Sequence, residues 1–264
     1  VTLDASLAPH LMILLMAAAF LAGWVDAVVG GGGLIQLPAL LVGLPQATPV
    51  ATVAGTNKIS SFAGTLTASA TYLRTVRVHW PSAATIMAGA CLGSSAGARL
   101  VQFLPKRWFT PIVLVVIIGV GIFTWRRPTM GLVNRVRHHG AARYLRLAGI
   151  GALIGVYDGA VGPGTGTFFV ICLVAVIGHG FLEASALAKL ANLATNAGAI
   201  AVFWAHGVIW WRVGLVMALA NLTGGWIGAR TAVRHGSGFV RKVFLVTVIG
   251  LGVKLAHDTI IQFT

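Results

Sequence analysis

Two acids, Asp26 and Asp158, sit where acids are rarely found. The chain carries only five acidic residues in 264, and Asp26 is the sole charged residue between Asp4 and Lys58, as Asp158 is between Arg146 and Glu183. A carboxyl group inside an apolar run is costly at bilayer depth and is a functional candidate by default; the chemistry it could do there is proton exchange. The plainer alternative is that each carboxylate accepts hydrogen bonds from nearby amides or pairs with a Lys. Four residues after each acid the run breaks at glycines, Gly30-Gly31-Gly32-Gly33 and Gly162-Pro163-Gly164-Thr165-Gly166, and apolar sequence then resumes. Each stretch is expected to be a helix that stops, turns and restarts. Irregular backbone at that depth is tolerated only where it is packed in protein or lines a polar cavity.

Lys58 and Lys189 form a second pair. Lys58, Ser61 and Thr65 fall on one helical face, and Lys189, Asn192 and Asn196 repeat that stripe. A cation, the amides of Asn57, Asn192 and Asn196, the Ser61 hydroxyl, and backbone N–H groups freed at Gly31, Gly32, Gly33, Gly164 and Thr165 together suit an oxyanion. Restarting helices add N-terminal dipoles aimed at the same charge. The competing reading has both Lys snorkelling to a lipid headgroup. The sequence gives no reason to expect a metal or cofactor: the eight His show no ligand spacing, and no Gly-Lys-Ser/Thr follows the second glycine cluster, which argues against nucleotide binding. No nucleophile–base pair stands out, so an enzyme is disfavoured.

The elements that must position these residues are set by composition. Hydrophobic residues make up 57% of the chain, charged residues 9%, and the mean hydropathy is +0.89. A soluble domain carries roughly 25% charged residues, so this is expected to be an all-α polytopic membrane protein. The net charge of +14 comes from Lys and Arg in short loops, a pattern of topology signals and anionic-lipid contacts rather than nucleic-acid binding. Cys91 and Cys172 lie in apolar runs and read as packing residues. The first run, residues 7–29, is expected to be a retained helix and not a cleaved signal.

In order, the chain predicts a helix to Val29, a short segment Leu34–Leu44, helices at about 50–73, 80–100 and 108–125, and a basic cytoplasmic connector over 126–146 with six Arg. A second set then spans 147–261. Sliding the halves together gives a near-constant offset of about 131–132 residues: Asp26 on Asp158, Lys58 on Lys189, and Gly93-x-x-x-Gly97-Ala98-Arg99 on Gly224-x-x-x-Gly228-Ala229-Arg230. The chain is therefore expected to hold two repeats, 7–125 and 147–261, of four or five transmembrane segments each, eight to ten in total, with the broken helices at their interface. If the short segment dips in and returns, each half has four crossings and the halves are parallel. If it counts as a crossing, each has five and they are inverted. With the Arg-rich connector placed inside, the inverted arrangement puts the larger excess of Lys and Arg there, and it is preferred. The two GxxxGAR segments are expected to pack helices closely, and Trp80, Trp108, Trp125, Trp210 and Trp211 to anchor at the membrane interface.

At these residues the chain resembles the TauE/SafE-type sulfite exporters, also called the toluene sulfonate uptake permease family. The resemblance rests on Ala22-Gly23, Asp26-Ala27, Gly30-Gly31-Gly32-Gly33-Leu34-Ile35, Leu37-Pro38, Gly55-Thr56-Asn57-Lys58, Tyr157-Asp158-Gly159, the second glycine cluster and Lys189-Leu190 with Asn192. It covers nearly the whole chain. It implies a multi-pass carrier of sulfite or small organosulfur anions, such as sulfonates and sulfoacetate, in a bacterial inner membrane. Where members often carry Asp before Trp after the Lys helix, this chain has His79-Trp80 and Ile209-Trp210. The reading is a secondary transporter of a small sulfur-containing anion, with Lys58 and Lys189 attracting it, the breaks binding its oxygens and Asp26 and Asp158 coupling protons. The alternatives are an anion channel on the same scaffold or a non-transporting partner subunit. Oligomeric state stays open, with a homodimer among the options.

Overall fold

A computed structural model describes residues 8–45, 47–101 and 140–263. The expected helix over 108–125 and most of the connector lie outside them. The described residues are helical throughout, without a strand: α1 (Pro9–Val29), α2 (Gly33–Gly43), α3 (Val50–Leu73), α4 (Trp80–Leu100), α5 (Gly140–Ala160), α6 (Thr165–Cys172, continued by a π turn over Leu173–Ile177), α7 (Phe181–Ala205) and α8 (Trp211–Phe263, interrupted at Gly236). Proline marks the starts. Pro9 and Pro81 occupy the first turns of α1 and α4, where no intrahelical N–H is needed, and Pro49 precedes α3. Helix α5 begins at Gly140, so the basic residues Arg143 and Arg146 belong to its first two turns and not to a loop. Pro9–Val29 and Phe181–Ala205 are long and apolar enough to cross a membrane.

Contact registers give the direction of each helix. Gly32 lies against Ala22 and Asp26, and Gly43 against Leu15, so α2 folds back along α1. At 11 residues and about 16 Å it returns only half the length of its partner. Tyr72 reaches Ala27 while Val53 clusters with Leu15, so α3 runs parallel to α1. Gly55 meets Phe203 and Thr65 meets Asn196, so α3 and α7 run antiparallel. The breaks pass each other in opposite senses too, Gly30 against Gly166 and Gly33 against Pro163.

The GxxxG segments pack as expected. Gly93 and Gly97 of α4 lie on the carbonyls of Ala152 and Val156 in α5, and Gly224 and Gly228 of α8 on those of Phe20 and Trp24 in α1. A side chain at any of the four would strike backbone, so these glycines set how near the helices come. Each joins the last long described helix of one half to the first helix of the other. The largest apolar cluster likewise draws on both halves, from Val28 and Tyr72 to Phe169 and Leu187. Trp210 departs from expectation. It is buried with Leu15, Val53 and Met217, its main-chain N–H donating to Thr56 Oγ1, while Trp80 and Trp211 are exposed. Apolar sequence on either side of a Trp does not distinguish an interfacial ring from a core one.

Candidate functional site

Each break contains a left-handed glycine. Gly30 has φ 85° and closes α1, its N–H bonding the Asp26 carbonyl at 2.8 Å; Gly164 has φ 79° and precedes α6. That conformation suits glycine because it has no Cβ. The second break grips the first: Thr167 donates its N–H to the Gly30 carbonyl at 3.1 Å and its hydroxyl to the Val29 carbonyl at 3.0 Å. Carbonyls left without partners at the end of α1 are thereby satisfied by the opposite half of the chain.

The acids and lysines meet here, and they do so crosswise. Lys58 of α3 pairs with Asp158 of α5, Nζ to Oδ2 at 2.5 Å. Lys189 of α7 pairs with Asp26 of α1, Nζ to Oδ2 at 2.8 Å, and also donates to the Asp26 main-chain carbonyl. Each lysine thus joins the acid of the other half. Neither is at a headgroup: Lys58 is 4% exposed and Lys189 fully buried. A buried ion pair gains little net stability over apolar packing, but removing one member strands a charge and costs about 3–5 kcal/mol.

Around the pairs lies a cavity with space for water-molecule centres of about 20 Å³, enough for one or two waters. Of the residues expected at the site, Asp26, Gly33, Asn57, Lys58, Ser61, Asp158, Gly164, Thr165, Asn192 and Asn196 line it. Gly30, Gly162 and Gly166 line it as well. The first residues of both restarting helices, α2 and α6, therefore face the same space. Lys189 sits behind Asp26, outside the lining. Gly32 is turned against Ala22 and Asp26, and Gly31 is likewise not among the lining residues. Asn196 also donates from Nδ2 to the Thr65 hydroxyl at 3.4 Å, joining α7 to α3. Among the described residues no group of three or more His, Cys, Asp or Glu comes together.

Some contacts of the site have no symmetric signal in the sequence. Gln36 of α2 is fully buried; its Oε1 accepts from Asn221 Nδ2 of α8 at 2.7 Å, and its amide donates to the Asn57 carbonyl at 3.5 Å. The Tyr72 hydroxyl donates to the Ala27 carbonyl at 2.9 Å and that of Tyr157 to the Pro163 carbonyl at 2.7 Å. Tyr157 also stacks edge-on against Phe168. A buried polar side chain in an apolar run, as Gln36 is, was the one available pointer.

Residues 15–255 match the family described as Sulfite exporter TauE/SafE. The chain belongs to that family. Its relatives include "Probable membrane transporter protein ORF9" of Sinorhizobium sp, 34% identical over 96% of this chain and 95% of the relative. A "Probable membrane transporter protein" of Haemophilus influenzae is 31% identical over 94% and 95% of the two chains. "Probable membrane transporter protein YfcA" of Escherichia coli is 30% identical over 95% and 91%. No solved structure matches significantly. The TauE/SafE membership makes this a membrane transporter.

Proposed function

We propose that the protein is a secondary transporter that moves a small sulfur-containing oxyanion, such as sulfite or a sulfonate, across a bacterial inner membrane. The observation that carries this reading is the convergence, at one cavity, of both glycine breaks and of a charged pair from each side. Lys58 supplies positive charge at the cavity, with Lys189 held behind Asp26; Asn57, Ser61, Asn192, Asn196 and the backbone at Gly33, Gly164 and Thr165 supply donors; Asp158, beside Lys58, couples protons. Alternating access then arises from one half rocking on the other. In support, α3 and α7 run antiparallel, as do the breaks, which is the relation expected of inverted repeats. With α2 and the linker after it counted as a crossing, each repeat has five segments, over 7–125 and 147–261.

Two experiments test this. In proteoliposomes, labelled sulfite and sulfoacetate should show saturable, gradient-coupled uptake, and Lys58→Ala should weaken binding roughly tenfold to a hundredfold, the range of one charge-assisted hydrogen bond. Flux that does not saturate would favour a channel, and no flux or binding with any sulfur oxyanion would end the substrate assignment. For topology, a cysteine at Arg77 should label from the cytoplasm and one at Gly207 from outside. Both labelling from one side would mean parallel repeats.

A further inference from the structure

The two ion pairs are equivalent in the repeat but not in their surroundings. Lys58 and Asp158 both line the cavity and are joined, among the described residues, by one hydrogen bond. Lys189 is outside the lining, wholly buried, and bonded twice to Asp26, once through the carboxylate and once through the main-chain carbonyl. That same carbonyl accepts the Gly30 N–H that closes α1. Lys189 is therefore a cap on the end of α1 as well as a counter-ion. Releasing it would break two charge-assisted bonds and loosen the helix end, whereas Lys58 has one bond to give up and two further ammonium protons on the cavity side.

Space points the same way. With the pairs closed, the cavity takes one or two waters, too few to equal an ion with several oxygens around sulfur. A carboxylate has to step back before such an ion can reach an ammonium. Gly162, which has φ 90° and lies beside the Lys58 ammonium, belongs to the same loop as Asp158's end of α5.

Resting on the transporter reading above, we infer that the pairs divide the work. Lys58 exchanges Asp158 for the transported anion, while Lys189 and Asp26 stay joined and hold the first break in place. Asp158 is thus the substrate's competitor for Lys58, and Asp26 a positioning residue.

The test is binding of sulfite, thiosulfate and sulfoacetate to the full-length purified protein in detergent. Asp158→Asn removes the competitor and should tighten anion binding about tenfold, while Asp26→Asn should tighten it less than about threefold, since the competitor for Lys58 remains. Weaker binding in Asp158→Asn, or equal effects of the two substitutions, overturns the division of work. If Asp158→Asn does not fold, the uncharged pairs decide. Lys58→Gln with Asp158→Asn should lose at least about tenfold more affinity than Lys189→Gln with Asp26→Asn, and the reverse order overturns the inference. A parent protein that binds none of the three anions overturns the substrate assignment and this inference with it. A parent that binds, with both sites behaving alike, removes this inference alone.

Discussion

At the first break the backbone is held from outside. Lys189 reaches in from α7, Tyr72 from α3, and α2 is tied through Gln36 to Asn221 on α8 and Asn57 on α3. At the second break the chain holds itself: Tyr157 bonds Pro163 six residues on, and the Thr165 hydroxyl bonds Gly162 at 2.7 Å. Where α2 carries Gln36, the equivalent stretch of α6 reads Thr167-Phe168-Phe169 and packs by apolar contact. The two halves share the broken-helix plan and differ in how each break is anchored. The first break is tied to α3, α7 and α8 as well as to the second break, while the second adds to its own internal bonds only the Thr167 bonds to Gly30 and Val29 and the Asp158 pair with Lys58.

Four sets of substitutions press on that contrast. Gly30→Ala should do the most damage, because a Cβ there meets the backbone of Gly166 and Thr167 and the residue has φ 85°. A loss of more than about 4 kcal/mol is expected, read as the absence of monodisperse protein after extraction. Gln36→Leu should cost about 1–3 kcal/mol by stranding the Asn221 amide, and Gln36→Leu with Asn221→Ala should cost less than the sum; thermal unfolding of the three variants measures both. Gly164→Ala, at a similar φ but facing only the side chains of Leu34 and Phe168, should cost about 1–2 kcal/mol, the strain of a left-handed residue. A loss as large as that at Gly30 would show that the second break is no freer than the first. Smallest, Tyr157→Phe and Tyr72→Phe should each cost about 0.5–1.5 kcal/mol. Hydrogen exchange at Ala27–Gly33 should rise in Tyr72→Phe and stay unchanged in Tyr157→Phe, which instead loosens 162–166.

Much of this architecture could be read in the chain itself. Helices α3 and α4 emerge at their expected limits, and prolines open both. The glycine clusters gave both breaks, and ten of the thirteen expected site residues line one cavity. What stayed hidden is contact across the halves. Lys58 lies 100 residues from Asp158 and Lys189 lies 163 from Asp26, and nothing local records which lysine meets which acid. Matching the halves concealed the rest: it draws attention to what they share, so Gln36 and Asn221, which have no counterparts at the matched positions, drew none. Gly31 and Gly32 were grouped with Gly33 because a run of glycines carries no marker of which residue faces the cavity.

The four charges at the centre of the molecule, two ammonium groups and two carboxylates, add to zero. If the protein works as the carrier proposed above, the empty cluster reorients without moving charge, and the membrane voltage does not act on that step. Loaded with a monovalent anion and no companion cation, the cluster carries one negative charge, and an inside-negative potential drives it outward by about 2.3 kcal/mol for each 100 mV. Voltage then favours release to the outside, and uptake requires that a proton or other cation travel with the anion. Currents recorded from proteoliposomes distinguish the two: a bare anion gives a current that follows the voltage, and a compensated one gives none.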